Sequence, residues 1–128
     1  MEIKKVVIIG SGTMGSGIAA QLCNAGVPVT LLDLTNEISK KARERIYTSR
    51  PPLLIDKSKI NNINVGNIDE NFDVVRDADW VVEAVVERID IKHNIYEKIF
   101  KKTYASFWQF GFRDFWFRHF NQSVFTYP

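Results

Sequence analysis

The chain has 128 residues, enough for one domain with a sizeable core. Seventeen basic residues against 15 acidic ones leave a net charge of +2, which argues neither for nor against an anionic polymer as partner. The single cysteine, Cys23, excludes an internal disulfide, and neither a signal region nor an apolar run of roughly 18 residues is present, so a reducing cytoplasm and no membrane partner are expected.

Val6-Val7-Ile8-Ile9 is a short β-branched run that suits a strand buried on both faces of a parallel sheet. Gly10-Ser11-Gly12-Thr13-Met14-Gly15 follows at once and fits G-x-G-x-x-G. Behind it, Met14, Ile18 and Leu22 recur every fourth residue, the spacing of one helix face. Gly26 ends that helix. Val27 to Leu32 forms a second apolar run, and Asp33 stands at its carboxyl end, about twenty residues beyond the glycines.

Each of these residue types has a physical task. Gly10 lets the chain turn sharply, Gly12 lets the backbone approach a pyrophosphate, and Gly15 lets helix and strand pack closely. The helix N-terminus presents unpaired N–H groups and a positive dipole end to phosphates. Asp33 would accept hydrogen bonds from adenosine ribose hydroxyls and repel a 2′-phosphate. Leu34 rather than arginine follows, so NAD is expected ahead of NADP. With glycine at about 7% of residues, three at fixed positions occur by chance in roughly 4% of chains this long, so the glycines alone are a weak signal. The flanking strands, the helix and the terminal carboxylate are separate requirements, and all are met. The competing reading is a tight structural turn with no ligand.

Thr35 or Asn36 can cap a polar helix from about Glu37 to Thr48. Its basic run, Lys40, Lys41, Arg43 and Arg45, reads as a solvated face. Pro51-Pro52 marks a loop. At most a helical turn is expected from Asp56 to Asn62, then a strand-like piece around Ile63 to Ile68, interrupted at Gly66-Asn67.

Trp80 to Val86 is apolar except for Glu83, the profile of an inner parallel strand. A carboxylate within such a strand must be hydrogen-bonded or protonated, which places Glu83 at a crevice rim. Glu87 and Asp90 open the next helix, where Ile91, Ile95 and Ile99 with Tyr96 and Phe100 form an apolar stripe, and Lys98, Lys101 and Lys102 suit its C-terminal end. Parallel α/β sheets bind ligands outside the carboxyl ends of their strands, so Asp33, the glycine turn and Glu83 to Glu87 should converge.

The phrases GSGTMGSGIA, PVTLLD, VGNIDENFD and DADWVVEAVVERIDIKHNIYEKI resemble the NAD-binding domain of the 3-hydroxyacyl-CoA dehydrogenases, especially the long bacterial form that continues into an enoyl-CoA hydratase-like region. The resemblance extends from the start to about Thr103. It implies a Rossmann-type doubly wound parallel sheet of the α/β class, of which this chain carries the N-terminal part. It also implies NAD as cofactor and an acyl-CoA substrate, oxidised from L-3-hydroxyacyl-CoA to 3-oxoacyl-CoA in fatty acid β-oxidation. By that similarity Gly10, Ser11, Gly12, Thr13, Met14 and Gly15 cradle the pyrophosphate, and Asp33, followed by Leu34, takes the adenosine ribose. Ala84 and Val85 line the crevice. Glu87 and Lys92 match residues that contact NAD, with Lys92 also near the CoA substrate. Their bland alternatives are a helix-dipole partner and a first-turn surface lysine.

Beyond about residue 104 the family pattern stops. The family continues into a strand ending in Ser-Asn-Thr-Ser, a His-Phe-Phe-Asn-Pro segment with the catalytic histidine, a glutamate partner, and a helical domain that completes the acyl-CoA pocket and dimerises. None of these is recognisable. Residues 1–104 therefore read as an incomplete NAD-binding domain and 105–128 as an aromatic tail, SFWQFGFRDFWFRHFNQSVFTYP from Ser106 onward, without one Ile or Leu. That tail could be an ordered replacement strand over Tyr104 to Phe112, a membrane-surface or base-stacking segment, or out-of-frame translation. The last fits best: no recognised module accompanies the aromatics, so no nucleic-acid partner is expected, and they point around a whole helix instead of along one face. His119, in Arg-His-Phe-Asn, lies too close to Asp79 to match the catalytic histidine. The expectation is weak NAD binding without hydride transfer, with a non-catalytic sensing module or a gene remnant as alternatives.

Overall fold

The computed structural model describes residues 2–85 and 89–107. Strands β1 (Val6–Ile9), β2 (Val29–Asp33), β3 (Ile63–Asn67) and β4 (Trp80–Glu83) form one parallel sheet in the order β3-β2-β1-β4. Helices α1 (Thr13–Asn24) and α2 (Asn36–Thr48) provide the first two crossovers. The four-residue α3 (Ile68–Asn71) runs into a 3-10 helix at Phe72–Asp77, and α4 (Ile89–Phe107) follows β4. This is the doubly wound α/β arrangement, with the strand order reversing at β1.

Alternation along β1 builds both layers. Val6 and Ile8 pack with Val29, Leu31, Ala19, Ala20, Cys23, Ala42 and Ile46 on the α1/α2 side. Val7 and Ile9 pack with Leu32, Phe72, Val75, Val81, Ile95 and Ile99 on the α4 side. Ile8 and Ile9 are wholly buried, each contributing about 1.5–3 kcal/mol of transfer free energy. A run of four apolar residues thus serves a strand covered on both faces.

The face of α1 differs from the one its large residues suggest. Met14 is 72% exposed, and Ile18 and Leu22 only flank the core. The buried stripe is Gly15, Ser16, Ala19, Ala20 and Cys23. Small residues are needed there because the helix lies hard against the turn: a Cβ on Gly15 would stand 1.9 Å from the Gly10 carbonyl oxygen. Burial pushes the Cys23 thiol up to about 11, so it behaves as a small apolar group.

Thr35 caps α2, its hydroxyl accepting from Ile38 N–H at 3.3 Å. Lys40 and Lys41 are exposed, as a solvated face requires. Arg43 is not: it donates to the carbonyls of Ile60 (3.1 Å) and Ile63 (3.0 Å), tying α2 to the start of β3. A 3-10 helix occupies Lys57–Asn62. The strand that follows is continuous through Gly66 and Asn67, which pair with Leu32 and Asp33. The expected interruption does not occur, because Asn67 caps α3 through its side chain, accepting from Glu70 N–H at 2.7 Å, while its own N–H reaches the Asn71 side chain at 2.9 Å.

Among the described residues β4 pairs with β1 alone and forms the edge of the sheet, where its apolar run predicts an inner strand, with Trp80 47% exposed. Asp79 anchors its start by accepting the N–H groups of Lys4 (2.8 Å) and Lys5 (2.9 Å). α4 runs to Phe107, so residues 104–107 are helical and the replacement strand expected from Tyr104 does not begin there. The remainder of that expected strand, the rest of the aromatic tail and His119 lie outside the described residues.

Candidate functional site

The parallel ladders end level with one another. Gly10 N–H reaches the Leu32 carbonyl at 2.8 Å, and Ala84 N–H reaches the Ile9 carbonyl at 2.8 Å, so the ends of β1, β2 and β4 open together at the point where the strand order reverses. A crevice of about 270 Å³ lies there, lined by the glycine turn, Asp33, Leu34, Ala84 and Val85, with Ile38, Arg45, Ile68, Ile91 and Ile95 completing its wall.

Gly10 has φ +105, and a Cβ on it would stand 2.5 Å from the Ala84 carbonyl oxygen, so both its conformation and the approach of β4 require glycine. Gly12 differs: a Cβ there would meet nothing within 4 Å. Among the described residues no neighbour forbids a side chain at this position, and Gly12 itself lines the crevice. Gly12 is also the N-cap of α1; it offers no side-chain cap, and the first turn holds no acid, so the leading N–H groups of the helix are left without a side-chain partner. Such an end accepts an anion.

Asp33 is half-buried beside this turn. Its Oδ2 accepts from Ser11 N–H at 2.7 Å and from the Ser11 hydroxyl, while Oδ1 accepts from Leu34 N–H at 2.7 Å. These three donors fix the carboxylate in place and, of its roughly four lone-pair sites, leave one on Oδ1 for a further donor. The Ser11 carbonyl in turn accepts from Ser16 Oγ at 3.0 Å and Arg45 Nη2 at 2.8 Å.

Of the residues predicted for the site, Gly10, Ser11, Gly12, Asp33, Leu34, Ala84 and Val85 share the crevice wall. Thr13 and Met14 are exposed at the start of α1, and Gly15 is buried under the turn. Lys92 falls in the first turn of α4; its side chain and all of Glu87 lie outside the described residues. Glu83 does not stand in the wall: Oε1 accepts Val85 N–H at 2.8 Å and Oε2 the Tyr96 hydroxyl at 3.1 Å, an arrangement that satisfies its carboxylate and ties β4 to α4. Ile38, Ile68, Ile91, Ile95 and Arg45 were not singled out for the crevice from sequence. The spacing of Ile38 and Arg45, seven residues apart on α2, is the signal that could have placed those two on one face.

The family described as 3-hydroxyacyl-CoA dehydrogenase, NAD binding domain, matches residues 5–106. This chain belongs to that family. Its cofactor is NAD, and the residues present fit the phosphate end of that group through the open side of Gly12 and the uncapped helix N-terminus. A "Probable 3-hydroxyacyl-CoA dehydrogenase" of Deinococcus radiodurans is 43% identical over 108 residues, covering 79% of this chain and 31% of that protein. A Rickettsia felis protein, whose name describes a fatty acid oxidation complex trifunctional enzyme, is 45% identical over 105 residues, covering 77% of this chain and 15% of its own length. The solved (S)-3-hydroxybutyryl-CoA dehydrogenase of Ralstonia eutropha superposes with a TM-score of 0.61 at 27% identity, over 77% of this chain and 36% of that one. The chain therefore spans about a third or less of these relatives. No helix among the described residues is long and apolar enough to cross a membrane, and no cluster of metal-ligating side chains occurs among them.

Proposed function

We propose that residues 1–104 seat the adenosine diphosphoribose part of NAD in the crevice at the ends of β1, β2 and β4, as the nucleotide-holding portion of a 3-hydroxyacyl-CoA dehydrogenase. The observation that carries this reading is the pairing of two features on one wall: an unfilled space in front of Gly12 at an uncapped helix start, and the Asp33 carboxylate held by Ser11 on the same turn. The pyrophosphate lies over Gly12, Asp33 takes the ribose hydroxyls, and the apolar wall of Leu34, Ile38, Ala84 and Val85 flanks the adenosine. By resemblance to the family, Glu87 and Lys92 act on the same cofactor, and Lys92 also meets the CoA ester. Bound NAD would supply the hydride acceptor for oxidation of an L-3-hydroxyacyl-CoA.

We further propose that these 128 residues bind without turning over. Oxidation of a secondary alcohol needs a general base at the hydroxyl. Among the described residues lining the crevice there is no histidine, and the single acid, Asp33, is engaged by Ser11 and Leu34. Without a positioned base and substrate the cofactor alone gives little rate. The free, buried thiol of Cys23 suits a reducing compartment, and we assign the protein to the cytoplasm. Calorimetric titration with NADH, followed by an assay with 3-hydroxybutyryl-CoA and NAD, tests both statements. Saturable heat with NADH and no NADH formation above background are expected. No heat with NADH removes the cofactor assignment, and turnover removes the claim of inactivity.

A further inference from the structure

Two residues of the basic run on α2 depart from a solvated face: Arg43, which ties α2 to the start of β3, and Arg45, which reaches the crevice. Arg45 is exposed, yet its guanidinium is directed by one hydrogen bond, Nη2 to the Ser11 carbonyl at 2.8 Å, onto the wall of the crevice. Ser11 is also the residue whose N–H and hydroxyl hold Asp33 Oδ2. A fixed positive charge and the carboxylate assigned to the ribose hydroxyls thus grip the same residue, one through its carbonyl and the other through its donors. A guanidinium carries five N–H donors in a planar fork suited to phosphate. One is used on Ser11; the residue as a whole is exposed and lines the crevice.

A carboxylate at the end of the second strand selects against a 2′-phosphate by repulsion, whereas a nearby arginine accommodates that phosphate. Here both stand on one wall. We propose that Arg45 is a specificity-determining residue that admits the 2′-phosphorylated dinucleotide, NADPH, alongside NADH. The proposal rests on the assignment of the crevice to the adenosine half of the cofactor. It adds to that assignment a counter-charge that offsets the repulsion from Asp33. Leu34 and Ile38, the other α2-side residues of the wall, carry no charge that could do so.

Fluorescence titrations of the full chain with NADH and with NADPH test this, using the wild type, Arg45→Gln and Arg45→Lys, with circular dichroism melts on each. The wild type is expected to bind NADPH within about tenfold of NADH, and Arg45→Gln to weaken NADPH at least about tenfold more than NADH, the loss of a charge-assisted contact. Arg45→Lys should keep most of the NADPH binding, and added salt should reduce the NADPH affinity more than the NADH affinity. Equal weakening of both nucleotides by Arg45→Gln would mean that Arg45 only braces the Ser11 carbonyl, and overturns the proposal. So does a wild-type preference for NADH above about a hundredfold, which needs no variant at all. Wild-type protein that binds neither nucleotide overturns the underlying site assignment instead, so the two failures are distinguishable.

Discussion

Gly12 and Gly15 stand three residues apart in one motif, yet the structure assigns them opposite constraints. A methyl on Gly15 would lie 1.9 Å from the Gly10 carbonyl oxygen and 3.0 Å from its carbon, against backbone that cannot swing aside. Overpacking of this kind costs about 1–3 kcal/mol, and a contact with backbone belongs at or above the upper end. For a domain of roughly 100 residues, about 3 kcal/mol lowers Tm by on the order of 12–24 °C. Gly12→Ala has no such clash, since nothing lies within 4 Å of the added Cβ and the residue already has φ −67. Reduced entropy of the unfolded chain favours the alanine by about 0.4–1 kcal/mol, while alanine's poorer fit at an N-cap opposes it by a comparable amount. The two offset, and Tm should stay within about 4 °C of the wild type.

Ligand affinity should separate the pair in the other direction. With the pyrophosphate over Gly12 as proposed, a methyl there would meet it, and one intruding methyl at a tight contact costs about 1–3 kcal/mol, or roughly 5- to 150-fold in Kd. The assay is a thermal melt together with an NADH titration on each variant. A stable Gly12→Ala protein that binds NADH as tightly as the wild type would refute the reasoning, because the open space would then have no occupant. A Gly12→Ala protein that melts like Gly15→Ala would refute it differently, by showing that the protein itself needs that space.

Three smaller effects follow from named contacts. The Asp79 carboxyl sits below its ordinary pKa because the N–H groups of Lys4 and then Lys5 bond to its ionised form. Its stabilising effect is therefore present above the unfolded value of about 3.9 and lost as pH falls through the lower folded value. Asp79→Asn should give a shallower acid-side decline in urea midpoint between about pH 5 and pH 2.5; an unchanged slope would count against that account. Tyr96→Phe removes the hydroxyl that donates to Glu83 Oε2 and should lower stability by about 1 kcal/mol, or 4–8 °C in Tm; an unaltered melt would show that the contact contributes nothing. Cys23, wholly buried and with its thiol raised to about 11, should resist iodoacetamide at about pH 8 in the native protein and react promptly in urea; fast native labelling would mean that α1 opens readily.

The parts of the fold legible in sequence are those in which residue type answers a local demand. The four apolar residues of β1 alternate between two cores, as a doubly covered strand must. The glycine turn and Asp33 were readable for the same reason: their spacing is set by one strand, one helix and a second strand, with little room for variation. The helix face was not. Periodicity gives weight to large side chains, so it pointed to Met14, Ile18 and Leu22, whereas α1 buries its small residues because the Gly10–Gly15 contact draws the helix axis toward the sheet. Gly66 misled in the opposite sense. It looked like a break, but the absent side chain makes room for Asn71, whose Oδ1 would lie 2.7 Å from a Cβ at that position.

The four basic residues of α2 show where such reading ends. Composition gives Lys40, Lys41, Arg43 and Arg45 one description, and the structure gives them three. Two lysines face water, Arg43 binds the carbonyls that precede and open β3, and Arg45 reaches across to the turn between β1 and α1. What separates them is where α2 meets the start of β3 and the turn between β1 and α1, tertiary contacts with no local signature. Arginine at both carbonyl-binding positions is itself informative, since a planar fork can bridge or brace carbonyls in a way that a lysine ammonium does not. The difference between lysine and arginine within one charged run therefore carries information that a count of charges discards, and on α2 it marks the charged residue that the second helix brings to the crevice beside Ile38.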